Sequence, residues 1–224
     1  MTTSALPALS DIPGVVPGVL RIENSDREQT TPIILDMLRS VYPHDQIFGD
    51  YCPVQGYIDA PPRELYEYLS DTRSLEEWTY SLRGFTETGE PGLWESYDRL
   101  GDSTRIYTRT VANPDAMTVD YHCAWDQSEH LWMIYLMRVV DAQVVFDKPG
   151  SVVLWTNCRH PYYDKNPYKD VAPEGRKVWV GDFWEMFAAG HQLELDNLKV
   201  IAEYRASHGL PLTPAWMRAS SDQK

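Results

Sequence analysis

YIDAPPRELYEYLSDTRSLEEWTYSLRGF, residues 57–85, reads as the end of a strand, a helix opened by proline and a second short helix closed by Trp78. Pro61 and Pro62 open the first helix, where a missing N–H costs nothing, and Leu65, Tyr66 and Leu69 then recur at helical spacing. Ser74 with Glu77 three residues on reads as a capping box for the second helix. Upstream, Val54, Gly56 and Ile58 alternate as in a strand.

Downstream, helical periodicity disappears between Leu93 and Cys158. Strands are expected at about 93–99, 104–111, 117–126, 131–140 and 150–158, parted by turn formers such as Gly101-Asp102-Ser103 and Asn113-Pro114-Asp115. Such a meander makes an antiparallel sheet. Residues 159–177 carry Pro and turn formers, a long loop of the kind often used as a lid or binding segment. Asp182 and Glu185 signal the start of a last helix, and Gly209 with Pro211 its stop. At 1.5 Å per residue that helix is roughly 39 Å long. Its stripe through Trp184, Phe187, His191, Leu195, Leu198 and Ala202 is expected to face the sheet.

Residues 1–49 form an arm with a short helix from Thr31 (N-cap) and Pro32 to near Pro43, residues 50–209 one domain, and 210–224 a tail. A length of 224 residues suits one sizeable core. Acidic residues outnumber basic ones by 33 to 20, and a net charge of -13 repels phosphate backbones and anionic membranes, so neither nucleic acid nor membrane is expected as partner. Eight Trp in 12% aromatic content fit either a ligand cavity or a large aromatic core. Cys52, Cys123 and Cys158 are odd in number and widely spaced, as in a reducing compartment. The first 20 residues lack a basic stretch and are broken by Pro7, Pro13 and Pro17, unlike a signal peptide or anchor; a cytoplasmic protein is expected.

This order of elements resembles the helix-grip fold of the START-like superfamily, which includes polyketide cyclases/dehydrases and lipid-transfer proteins. The resemblance rests on IDAPPRELYEYLSDTRSLEEWT from Ile58, RTVANPDAMTVDY from Arg109 and LELDNLKVIAEYR from Leu193, and covers about residues 50–208. It implies an α+β fold in which a curved antiparallel sheet wraps around the long C-terminal helix. In the aromatase/cyclase members an Arg, Tyr and Trp set folds and dehydrates poly-β-ketone chains. Trp78 matches the Trp after the second helix, and Arg109 and Tyr107 approximate the Arg-bearing strand. The arm and the loop at 161–173 depart from the pattern.

Cyclisation of a carbonyl chain needs a base for a carbon-bound proton, an acid or cation for the developing oxyanion, and walls that exclude water. His191, on the inner stripe, is the first candidate for acid/base work, or else packs and bonds to the sheet. Arg109 and Tyr107 share one strand face and present a cation and a phenol to a substrate, or form a solvated charged face. Arg105 shares that parity, with Glu95 or Asp98 as partners for a buried Arg. Trp78, Glu95, His122, Trp125, Trp132, Trp155 and Phe187 are the expected substrate-binding residues, and Tyr162, Tyr163 and Tyr168 line the entrance or lie on the surface. His122, His130, Cys158 and His160 offer a conceivable metal set without a compact motif, so no metal is assigned.

The function expected is cofactor-free cyclisation or dehydration of a hydrophobic biosynthetic intermediate. The alternative is a non-catalytic carrier or sensor of a hydrophobic ligand or lipid, and a ligand-free partner protein with a filled core is a third class. The partner expected is a hydrophobic or aromatic small molecule, with a homodimer left open.

Overall fold

The computed structural model describes residues 28, 32, 36, 51–99, 104–125, 130–160, 162 and 184–218, with Tyr51 and residues 184–188 described by backbone alone. Of the arm, Glu28, Pro32 and Asp36 are helical and exposed. The remainder of the helix expected from Thr31 lies outside the described residues, as does most of the loop at 159–177.

Strand β1 (Tyr51–Ile58) leads through Pro61 into helix α1 (Pro62–Ser70), whose Leu65, Tyr66 and Leu69 are buried as their spacing predicts. A 3-10 turn (Thr72–Ser74) then runs directly into α2 (Leu75–Trp78). Here the capping box is corrected. Ser74 continues the preceding turn in the helical region, at φ -57° and ψ -29°, not in the extended conformation from which a cap hydroxyl reaches the N2 or N3 N–H, and its side chain makes no capping bond. Asp71 caps instead, accepting from Arg73 N–H at 3.0 Å. Glu77 is released for another task.

The meander follows as β2 (Leu82–Glu87), β3 (Leu93–Asp98), β4 (Arg105–Asn113), β5 (Thr118–Trp125) and β6 (Met133–Asp141), then a one-turn helix α3 (Ala142–Phe146) and β7 (Ser151–Cys158). Neither β2 nor α3 is among the elements expected from sequence. All seven strands form one antiparallel sheet in the order β1-β7-β6-β5-β4-β3-β2, so the first strand closes against the last. One face is solvated. The other buries Val54 and Ile58 of β1, Val119, Tyr121, Cys123 and Trp125 of β5, Met133 and Met137 of β6, and Val153 and Trp155 of β7.

Helix α4 (Trp184–Ser207) lies against that inner face, close enough on β1 that a Cβ at Gly56 would meet the Leu195 side chain at 3.3 Å. A curved antiparallel sheet gripping one long C-terminal helix is the helix-grip fold. Short α5 (Ala215–Arg218) follows. Among the described residues, no helix is long and apolar enough to cross a membrane.

One polar cluster is sealed between the helices. The Arg205 guanidinium of α4 donates to both carboxylate oxygens of Glu77 on α2, at 2.8 and 2.9 Å, and both side chains are 9% exposed. Tyr68 O–H of α1 donates to Glu77 at 2.6 Å, Trp216 Nε1–H of α5 at 3.3 Å, and Arg205 also bonds the Leu212 carbonyl at 2.8 Å. A charge pair out of water is tolerated only when its remaining lone pairs and protons are occupied, and these neighbours occupy them. Removing one partner strands the other charge. Glu77→Ala is therefore expected to lower unfolding free energy by about 3–5 kcal/mol, whereas Glu77→Leu combined with Arg205→Met should cost clearly less than the sum of the single changes. Urea denaturation of wild type, Glu77→Leu, Arg205→Met and the double variant closes the cycle, and the same measurement on Glu77→Ala reads the first value.

Candidate functional site

The N-terminal half of α4, the α2–β2 connection and the inner faces of β3 to β7 enclose a cavity. It offers about 80 Å³ to the centre of a water-sized sphere, room for several waters or one small molecule. Its walls include Leu75, Trp78, Tyr80, Leu82, Ile106, Tyr121, Cys123, Trp125, Met133, Tyr135 and Trp155, and its polar groups are Thr79, Ser81, Asp98, His191 and Glu194.

His191 is 4% exposed, with Trp155 tilted against it at 4.5 Å between ring centroids and Tyr135 edge-on at 5.2 Å. Its Nδ1 has no hydrogen-bond partner among the described residues. Burial among rings penalises the imidazolium and lowers the pKa from 6.5 to about 3, so the ring is a neutral base at pH 7. Glu194 is one helical turn further along α4, which puts the two Cβ atoms about 5–6 Å apart. Its carboxyl is pushed up from 4.5 to about 8 by burial, partly opposed by the Tyr80 backbone N–H. At pH 7 it is chiefly the neutral acid.

Tyr80 reaches the same centre because Gly190 lets it in. A Cβ at Gly190 would sit 2.5 Å from Tyr80 Cε1 and 2.6 Å from its hydroxyl oxygen, so the ring rests on the bare helix backbone. The phenol is held well above its ordinary pKa by burial, then by Glu194 and Asp98. Trp78 stands edge-on to Trp155 at 5.7 Å, and its carbonyl accepts from Asn197 Nδ2 at 3.1 Å, fixing the α2 end to α4.

Of the residues expected from sequence, His191, Trp78, Trp125 and Trp155 come together at the cavity. Tyr107 and Arg109 do not, and their inward placement is corrected. Ile106 and Thr108 take the inner face of β4, so Arg105, Tyr107 and Arg109 alternate to the outer one, where Arg109 pairs with Glu90. Glu95 is on that outer face, accepting from Arg105 at 2.7 Å, and His122 lies opposite Arg109 across the β4–β5 ladder. Trp132 is buried away from the cavity lining, against His160 at 5.3 Å and Tyr162 at 5.6 Å. The Phe187 side chain, Tyr163 and Tyr168 lie outside the described residues. Cys158 is exposed at the end of β7, and among the described residues no three His, Cys, Asp or Glu gather to hold a metal ion.

Glu194 and Tyr80 were not singled out by motif or spacing. The signal that exists for Glu194 is its position three residues after His191 and between Leu193 and Leu195, a carboxylate on an apolar stretch.

Residues 45–154 match the model of a domain of unknown function, DUF8713. No protein of curated function matches in sequence. Among solved structures, the chain is similar to the Zhui aromatase/cyclase from Streptomyces sp. R1128 at 15% identity, covering 69% of this chain and 94% of that one with a TM-score of 0.46. It is similar to a START superfamily protein from Mycobacterium smegmatis at 11% identity, covering 71% and 99% with a TM-score of 0.44. The Aha1 dimer from Colwellia psychrerythraea matches at 13% identity over 68% and 96%, with a TM-score of 0.46.

Two measurements probe this geometry. Gly190→Ala gains helix propensity of about 1 kcal/mol but drives a methyl group into Tyr80, so a net loss of about 1–2 kcal/mol is expected, largely recovered in Gly190→Ala/Tyr80→Ala relative to Tyr80→Ala alone. Chemical denaturation of the four chains reads it.

The second is a pH profile. Between pH 4.5 and 6.5 the unfolded chain carries a proton on His191 and none on Glu194, whereas the fold reverses this, so the two contributions cancel. From 6.5 to 8 only the folded Glu194 keeps its proton, and stability falls as pH rises. From 4.5 down to 3 only the folded His191 lacks one, and stability falls as pH drops. Glu194→Gln removes one limb: its stability relative to wild type should rise by about 1.4 kcal/mol per pH unit from 4.5 to 8. A pH-independent difference would show that Glu194 is not held as the acid.

Proposed function

We propose that the chain is a cofactor-free enzyme that binds a small hydrophobic molecule in this cavity and moves protons on it, as in cyclisation or dehydration. The observation that carries the reading is the reversed pair on one turn of α4: a neutral imidazole whose Nδ1 has no partner among the described residues, and a protonated carboxyl, both walled by rings. A base and an acid whose environments push their pKa values apart can act on the two ends of one carbonyl group.

In the tautomer with hydrogen on Nε2, His191 Nδ1 takes a proton from the carbon next to a carbonyl. The C–H pair becomes the C=C bond of an enol, the carbonyl π pair moves to oxygen, and Glu194 supplies the proton that oxygen needs. Imidazolium and carboxylate remain, one turn apart, and reverse the transfer on the product. The same enol is the nucleophile for carbon–carbon closure; in dehydration its O–H proton returns to Glu194 while the imidazolium protonates the departing β-hydroxyl, which leaves as water, and both groups are restored to their neutral forms. Ring walls keep bulk water away from these intermediates.

The α-protons of acetophenone in D2O provide a probe independent of the natural substrate, their loss being followed by proton NMR. Wild-type protein is expected to accelerate exchange above buffer. His191→Ala should lower the protein-dependent rate by about 10²-fold or more, and Glu194→Gln by a smaller but definite factor, because an amide still donates a hydrogen bond yet cannot give up a proton. Unchanged rates in both variants would remove the pair from any chemistry.

A further inference from the structure

The acid/base pair leaves two polar groups at the same cavity unexplained. Tyr80 Oη and Trp155 Nε1 are buried, belong to residues 2% and 4% exposed, and have no hydrogen-bond partner among the described residues. Buried donors are ordinarily satisfied, because each orphan costs the desolvation of its group. Both are held rigidly. Tyr80 rests on Gly190, and Trp155 is clamped between Trp78 and His191, so the orphans sit beside two successive residues of α4, one turn from Glu194.

The described wall carries acids and no fixed cation. Asp98 and Glu194 are carboxyls, and no Lys or Arg is among the described lining residues. A ligand carboxylate or phosphate would enter facing two acids with no cation to hold it. A ligand ammonium could donate to His191 Nδ1 or Asp98, but it has no acceptor to offer the Tyr80 hydroxyl hydrogen or the Trp155 indole hydrogen. An uncharged ligand bearing one oxygen acceptor answers both conditions.

We propose that Tyr80 and Trp155 are specificity-determining residues, donating Oη–H and Nε1–H to the oxygen of an uncharged, ring-sized ligand, while a described wall with the Asp98 carboxyl and without Lys or Arg disfavours its anionic counterparts. The proposal rests on reading the cavity as a ligand site, but not on the ligand being turned over. It explains why a phenol and an indole are spent on positions that pack as aromatic wall. A site built to donate to an oxygen discriminates strongly against the analogue lacking it, since its donors then stay unpaired.

The test is equilibrium binding to the full chain at pH 7, by calorimetry or quenching of the cavity tryptophans. The ligands are acetophenone, ethylbenzene (same ring, no acceptor), benzoate (anion) and benzylamine (cation). Acetophenone is expected to bind at least tenfold more tightly than each of the others. Tyr80→Phe should bring acetophenone to within about threefold of ethylbenzene while leaving ethylbenzene unchanged. Trp155→Phe should do the same, and if that chain does not fold, the ligand series on wild type and Tyr80→Phe still decides.

Benzoate, benzylamine or ethylbenzene binding as tightly as the ketone, no measurable ketone binding, or a ketone preference untouched by Tyr80→Phe would each overturn the proposal. The outcome is separable from the exchange experiment. Ketone preference without exchange refutes the acid/base reading alone, and exchange without preference refutes this one alone.

Discussion

The buried ion pair between Glu77 and Arg205 sets where the long helix meets the two short ones, and the cavity is a consequence of that placement. Arg205 lies near the C-terminal end of α4, and Glu77 on the turn that carries Trp78. With Tyr68 and Trp216 bonded to the carboxylate and the Leu212 carbonyl to the guanidinium, α1, α4 and α5 are all tied to one carboxylate on α2. Such a pair adds little net stability over a well-packed apolar substitute, because desolvation consumes most of the Coulombic gain. Its contribution is geometric. The bidentate fork admits one approach of α4, and an apolar cluster would admit several.

From that anchor the two halves of α4 diverge in character. Leu198, Ile201 and Ala202 fill the space between helix and sheet near the anchor and are fully buried. Further back, Gly190 carries no side chain and the Tyr80 ring rests where one would stand. The hollow lies beside His191 and Glu194, toward the end of the helix away from the ion pair. Its titratable groups inherit their properties from the same lack of water. Burial alone lowers His191, and burial is the leading cause of the upward shifts of Glu194, Tyr80 and of Cys123, which reaches about 12.

The fold was legible where physics is local. Proline at the first turn of α1, the period of Leu65, Tyr66 and Leu69, and the alternation of β5 and β7 each report on one element, and together they imply a meander closed by a helix. What failed was parity and partner choice. On β4 both faces mix polar and apolar residues, Ile-Thr-Thr against Arg-Tyr-Arg-Val, so alternation carries no sign, and the inward reading placed Tyr107 and Arg109 on the wrong face. Ser74 and Glu77 have capping-box spacing, but a preceding 3-10 turn leaves Ser74 itself helical and a residue 128 positions away claims the carboxylate. Strand β2 escapes because Leu82–Glu87 shows a weak burial pattern on a bulged edge, and α3 because five residues set no period. His191 was legible since one stripe of one helix places it. Glu194 was not, since a Glu in a long helix is ordinarily a solvated residue.

Reversal of the usual charges on His191 and Glu194 bears directly on the proposed proton transfer. In water the pair would rest as imidazolium and carboxylate, and a base already protonated cannot take a proton from carbon. Sealing both groups among rings makes the neutral pair the resting state. In the proposed reaction, when a substrate proton reaches the imidazole and the carboxyl gives up its own, the two charges would appear together, one turn apart, in a medium that strengthens their attraction. The aromatic wall therefore disfavours the charged pair at rest without leaving either charge alone during turnover, which is the condition a cofactor-free acid/base site has to meet.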